Sequence, residues 1–219
     1  MTQKERYTAI IADDHGIVRD GFRSALEKPG MVEAAGLHVL SEAANGVEAI
    51  EQVKFNRPNL LLLDISMPMA SGAEILTDIK RWSPDTKIVV ITAVTSPGLL
   101  ASMVEQGVDG LFSKASDNTE LYEKLPIILR GGRHVAEPLA ALIEVNEPAP
   151  DLSARERQTL NMVVAGKTNA EIADLMGISP RTAEKHRASL MAKMDVKSLV
   201  ELMSKALHEG LIEQHGHLD

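Results

Sequence analysis

Between residues 7 and 130 of this 219-residue chain, short apolar runs alternate with segments whose apolar residues fall at helical spacing. The runs Tyr7–Ala12, Leu37–Glu42, Asn59–Asp64, Lys87–Thr92 and Gly110–Phe112 read as strands. The intervening Ile17–Glu27, Gly46–Phe55, Gly72–Trp82, Gly98–Gln106 and Asp117–Arg130 read as helices. A strand that is apolar almost throughout is buried on both faces, and strands separated by helices pair in parallel through crossovers. The expected fold is therefore an α/β doubly wound parallel five-stranded sheet with helices on both faces. In such sheets, sites form outside the carboxyl ends of the strands, where the strand order reverses.

That rule directs attention to the residues at which the strands end. The first run ends in Asp13 and Asp14, the third in Asp64 and the fourth in Thr92, while the fifth leads to Lys114. If these strands are neighbours, three carboxylates, a hydroxyl and an ammonium converge. A lone Asp at such a place is as well explained as a helix N-cap, but five polar residues in order at strand ends point to a site. Three clustered carboxylates repel one another unless a counter-cation is present, and hard oxygen ligands that leave room for water suit Mg2+. One carboxylate could then attack a phosphoryl group, with Lys114 and Thr92 holding the phosphoryl oxygens.

The second half is built differently. All six aromatic residues (Tyr7, Phe22, Phe55, Trp82, Phe112, Tyr122) precede residue 123. Gly131 to Pro150, with Pro138, Pro148 and Pro150, reads as a semi-extended linker. The expected division is a first domain over residues 1–130, a linker over 131–150 and a second domain over 151–219. In the last, Ser153 and Glu156 form a capping box before an apolar helical face. Thr168 or Asn169 caps a short helix that Gly177 ends, and Ser179 with Pro180 opens the next. Helix, short glycine-containing turn and helix spell an all-α four-helix helix-turn-helix domain, the fourth helix being Lys197–Glu209. Its apolar stripe of Leu199, Val200, Met203 and Leu207 is a candidate contact between two copies.

Charge sharpens this division. The chain carries −8 in all; residues 151–219 carry −1, which leaves −7 on residues 1–150. Within Ser179–Lys193, however, Arg181, Lys185, Arg187 and Lys193 face only Glu184, a net +3 on one helix. A basic face on a helix is often no more than a solvated surface. Joined to helix-turn-helix capping it is a footprint for duplex DNA, and the absence of aromatic residues disfavours single-stranded RNA, which needs stacking platforms. There is no cysteine, hence no disulfide or thiolate metal site. The N-terminal residues lack the apolar core of a secretory signal, and the longest charge-free run, Ile88–Val104, is too polar to span a membrane. A cytoplasmic protein is expected. The terminal His215 and His217 read as a frayed tail rather than a metal site.

The order ADDHG, LLLLDISMPMASG, VVITA and GLFSK resembles the receiver domain of bacterial two-component response regulators. LSARERQTL, AGKTNAEIA and ISPRTAEKHRASLMAKM resemble the LuxR-type helix-turn-helix. Together they resemble the NarL/FixJ class, with a flavodoxin-like receiver fold. The resemblance implies that Asp64 is the phosphoacceptor and that Asp13, Asp14, Asp64 and the Ser66 backbone carbonyl hold Mg2+. It implies that Thr92 and Lys114 contact the phosphoryl group, and that Pro68 and Gly72 shape the turn after the third strand. Leu111 stands where the family usually has a switching aromatic residue. On the DNA side, Glu184, Lys185 and Ala188 would meet the major groove, Arg181, Thr182 and Arg187 would touch phosphates or the groove edge, and Thr168 would also bind DNA. Ala183 would be a small core contact.

The implied function is a response regulator transcription factor, not an enzyme. Its partners would be a cognate sensor histidine kinase, double-stranded promoter DNA, a second copy in a homodimer, and RNA polymerase. Phosphorylation of Asp64 would control dimerisation and binding to half-sites about one helical turn apart. The alternative is a phosphorylation-independent DNA-binding regulator whose degenerate receiver, marked by Leu111, serves only for dimerisation. A Mg2+-dependent hydrolase with Asp64 as nucleophile is disfavoured, because no general acid stands beside Asp64 and no substrate-binding extension exists. Pro29–Gly36, before the second strand, reads as a surface insertion.

Overall fold

A computed structural model describes residues 6–70, 72–144, 150 and 152–212; the terminal histidines lie outside this set. The chain divides into two compact units, one built on the sheet and one on the C-terminal helices. The first runs β1 (Thr8–Ala12), α1 (Gly16–Glu27), β2 (His38–Ala43), α2 (Gly46–Asn56), β3 (Leu60–Leu63) and α3 (Gly72–Trp82). It continues with β4 (Lys87–Thr92), α4 (Pro97–Glu105), β5 (Gly110–Ser113), α5 (Thr119–Leu129), β6 (His134–Val135) and α6 (Glu137–Glu144). The sheet order is β2-β1-β3-β4-β5-β6, and every pair is parallel. All of β3 and nearly all of β1 and β4 are buried, as continuous apolar strands require. The order reverses at β1, so the crevice lies where β1 and β3 end.

The sheet differs from the expected one in having six strands. His134 N–H donates to Asp109 O at 3.0 Å, and Ala136 N–H to Leu111 O at 2.9 Å, pairing β6 with the otherwise bare edge of β5. Ala136 and Leu139 are buried beneath it. The stretch read as linker thus has structure in its described part. Its apolar residues were too few to register as a strand, but unpaired polar backbone beside β5 supplies the drive.

Pro29–Gly36 is also more than a surface insertion. Val32 is buried in one core cluster with Phe22, Leu26 and Leu37. The loop closes on Glu33 O, which accepts from Gly30 N–H and Gly36 N–H, both at 2.9 Å. The Glu33 carboxylate pairs with Arg130 beyond α5 at 2.5 Å. Gly36 has φ +69°, and a Cβ there would stand 2.3 Å from Glu27 O.

The second unit holds α7 (Ala154–Val164), α8 (Asn169–Met176), α9 (Pro180–Lys193) and α10 (Leu199–His208). Ser153 with Glu156 and Thr168 with Glu171 form full capping boxes; Ser179 caps α9 with Pro180 in its first turn. Gly177, at φ +64°, ends α8 and turns the chain toward α9. Leu160, Ile172, Ala183, Leu190, Leu202 and Ala206 close the core. Glu156, besides capping α7, accepts from Ser189 Oγ at 2.9 Å and Lys193 Nζ at 3.0 Å, so one carboxylate joins α7 to α9. The Ser153 hydroxyl, then its amide, then Lys193 and Ser189 hold this carboxyl down from 4.5 to about 2. Among the described residues no helix is long and apolar enough to cross a membrane.

Two outcomes follow from these contacts. Gly36→Ala combines a left-handed backbone with a clash against Glu27, and should lower the stability of the sheet unit by about 1–3 kcal/mol in denaturant unfolding. A carboxyl depressed in the folded state contributes stability that is intact above its unfolded value and lost as pH falls toward the folded one. Protection of α7 and α9 amides against hydrogen exchange should therefore decline between 4.5 and about 2, and Glu156→Gln should flatten that decline.

Candidate functional site

Parallel strands bring their carboxyl ends to one edge of the sheet. Ala12 is in register with Leu63, and Leu63 with Val90, so the next residues of β1 and β3 emerge side by side. Asp64 N–H donates to Ala12 O at 2.8 Å and Asp13 N–H to Ala43 O at 3.1 Å, which fixes both backbones. Asp13 and Asp64 are buried, at 2% and 5% exposure. From the end of β5, Lys114 reaches across, and its Nζ lies 2.7 Å from both Asp13 Oδ2 and Asp64 Oδ2. Partial burial works against that ammonium, but the hydrogen bonds to Asp13 and then Asp64 outweigh it and hold its pKa above the ordinary lysine value.

The remaining oxygens are also engaged. Asp13 Oδ1 accepts from His15 N–H at 2.8 Å, and Asp64 Oδ1 from Ser66 N–H at 3.0 Å. Asp14 is more open and pairs with His15 Nδ1 at 2.7 Å. One ligand atom each from Asp13, Asp14 and His15 lies within 4.8 Å of the others. Thr92 is fully buried at the end of β4, where its Oγ1 accepts from Val94 N–H at 2.9 Å. Leu111 is fully buried in β5. Phe112, beside it, belongs to the core and lies 5.5 Å from the His134 ring.

The site thus gathers Asp13, Asp14, Asp64, Thr92 and Lys114 at one edge, with three carboxylates to one ammonium. Hard oxygen donors in charge excess fit a small divalent cation. Sequence reasoning did not find Arg19. From α1, its Nη1 donates to Asp13 O at 2.7 Å and its Nε to Glu42 Oε2 at 2.9 Å. Its partners come from β1 and β2, so no local spacing announces it. The pairing of His15 with Asp14 was likewise missed, although adjacency to an acidic pair was a signal.

In the second unit, Arg181, Glu184, Lys185 and Ala188 are exposed on α9, while Thr182 and Arg187 are half-buried. Thr182 Oγ1 lies 2.8 Å from Ser179 Oγ. Arg187 Nη1 donates to Asn169 Oδ1 at 3.2 Å, which ties α9 to the start of α8. Thr168 caps α8 and is exposed there. Ala183 is fully buried, as a small core contact.

Residues 9–126 match the response regulator receiver domain, and residues 150–206 the bacterial regulatory proteins of the luxR family. The chain is 33% identical to the oxygen regulatory protein NreC of Staphylococcus epidermidis over 93% of its own length and 98% of that protein. It is 30% identical to the response regulator UvrY of Escherichia coli over 92% of its length and 94% of that protein. Among solved structures it is similar to the two-component response regulator RcsB in complex with DNA, with a TM-score of 0.64 and 26% identity over 93% of this chain and 99% of that one. It is also similar to RcsB of Salmonella enterica serovar Typhimurium bound to a promoter in the presence of the phosphomimetic BeF3-, with a TM-score of 0.67 and 26% identity over 93% and 99% of the two chains. A receiver domain with its acidic edge, followed by a LuxR-type helix-turn-helix domain, places this chain in the family of two-component response regulators that regulate transcription.

Proposed function

We propose that Asp64 accepts a phosphoryl group from a sensor histidine kinase, and that this event controls pairing of two copies and binding to promoter DNA. The observation that carries the reading is the convergence of Asp13, Asp64, Thr92 and Lys114 at the carboxyl edge of the sheet, with Lys114 Nζ shared between two buried carboxylates. In the transfer, a carboxylate oxygen of Asp64 forms the new P–O bond while the bond from phosphorus to the donor nitrogen breaks. Asp13, Asp14, Asp64 and the Ser66 carbonyl would hold Mg2+, which when bound offsets negative charge on the phosphoryl oxygens. Lys114 exchanges its contact with Asp64 for a phosphoryl oxygen, and Thr92 turns its hydroxyl proton toward the same group. Leu111 has no ring to move into space vacated by Thr92, so the shift is transmitted by aliphatic packing within β5.

In this reading the receiver covers residues 1–130, with β6 and α6 extending it, and the DNA-binding domain covers residues 151–219. Glu184, Lys185 and Ala188 face the major groove; Lys185 suits guanine acceptors and Glu184 a cytosine amino group. Arg181, Thr182, Arg187 and Thr168 lie toward the phosphates. On α10, Leu202 and Ala206 enter the core, while Leu199, Val200 and Met203 remain exposed, Val200 at 78%. An apolar stripe left outside a small domain supports a contact between two copies. RcsB, a relative, is described as dimers bound to DNA. A cytoplasmic location and contact with RNA polymerase go with this role.

Asp64→Asn should abolish Mg2+-dependent labelling by a small phosphodonor while the far-ultraviolet circular dichroism stays unchanged; persistent labelling would overturn the assignment. Promoter affinity should rise on addition of phosphodonor to the wild type and not to Asp64→Asn. Equal affinity with and without donor would favour a receiver used only for pairing. Lys185→Ala should cost about 1–3 kcal/mol of discrimination at one base pair, whereas Arg181→Ala should weaken all sites alike and lower the salt dependence of binding by about one ion.

A further inference from the structure

We propose that Arg19 is a positioning residue for the cation-holding acids, acting through the peptide that joins Asp13 to Asp14. The inference rests on the reading of those acids as a cation site. Asp13 and Asp14 sit on the turn between β1 and α1, one buried and one open, and their carboxylates must face a single point. The backbone unit between them is a planar peptide, so fixing the Asp13 carbonyl oxygen also fixes the Asp14 nitrogen and the direction in which Asp14 leaves the strand. Arg19 Nη1 donates to that oxygen at 2.7 Å.

The donor is itself held. Arg19 Nε lies 2.9 Å from Glu42 Oε2 on β2, and the other oxygen of Glu42 accepts from Arg23 Nε at 2.6 Å. A guanidinium presents its donors in a rigid plane, so the contact to Glu42 sets the angle at which the other arm meets Asp13. Arg23 also reaches Val39 O, at 3.4 Å, and Glu27, at 3.6 Å. The frame α1–Glu42–α1 therefore stands behind the turn, with Arg19 alone touching it. Such supporting hydrogen bonds commonly change metal affinity by about 10–100-fold when removed.

Charge and geometry predict opposite signs, which makes the proposal testable. Arg19 is a cation close to a cation site; if it acted by charge alone, removing it would tighten binding. If it positions the acids, removal weakens binding. The experiment is Mn2+ binding to the full chain, read from the electron paramagnetic resonance signal of the free ion and displaced by Mg2+. Arg19→Ala should weaken binding by about tenfold. Arg23→Ala removes one support of Glu42 but leaves both contacts of Arg19 in place, and should weaken binding by clearly less than Arg19→Ala. Arg19→Lys keeps the charge but reaches only one of the two acceptors, and should fall between. Unchanged or tighter binding by Arg19→Ala, or an equal loss in Arg23→Ala, overturns the proposal. Should Arg19→Ala fail to fold, Arg19→Lys carries the test, and wild-type affinity in that variant overturns it. A wild type that binds no Mn2+, or binding that survives Asp13→Asn, overturns the reading of the site and the proposal with it.

Discussion

Two buried carboxylates side by side are tolerable only because something positive stands between them. Lys114 fills that role by sharing one ammonium between Asp13 and Asp64. Burying such groups costs several kcal/mol unless they are paired and hydrogen-bonded, and the surroundings meet that condition. Every oxygen of the two acids has a donor from a backbone amide or from Lys114. The sheet order makes the contact possible: β1 and β3 are neighbours and β5 lies two strands from β3, so Lys114 reaches across to both acids. Even so, Asp13, Asp14 and Asp64 outnumber the one ammonium of Lys114, and the edge keeps an excess of negative charge.

The helical domain solves a different problem with a related device. It has no aromatic residue with which to build a large core, and its helices are short. Reciprocal caps satisfy the backbone donors at the starts of α7 and α8, and the carboxylate of Glu156 reaches beyond its own cap to α9. Helix α9 is thereby attached from its inner side, while Arg181, Glu184 and Lys185 are exposed on its outer side. Its exposed face can then be displayed with little distortion, because the carboxylate of Glu156 holds the helix from within.

Much of this was legible in the sequence because it is local or periodic. Lys87–Thr92 and Gly72–Trp82 have the bounds that their apolar spacing predicts, and Ser153, Thr168 and Ser179 cap the helices they announce. The polar residues at strand ends were legible for the same reason: a strand that must be buried loses its first polar residue at the edge. What could not be read depends on long-range partners. Val32 looks like a loop residue until Phe22 and Leu37 surround it. Arg19 looks like any cation on an amphipathic helix until β2 brings Glu42 alongside. β6 is too short to carry a pattern at all, and its pairing exists because β5 had backbone groups to satisfy.

That last strand has a consequence for solubility. An open sheet offers unpaired amides and carbonyls at its margins, and a long flat margin invites another chain to pair and stack. Here the outer strand beside β5 is two residues long, and Pro138 soon follows it within α6. A foreign strand arriving at that side finds too little backbone to build a ladder. The small sixth strand thereby protects this margin of the sheet from pairing with another chain.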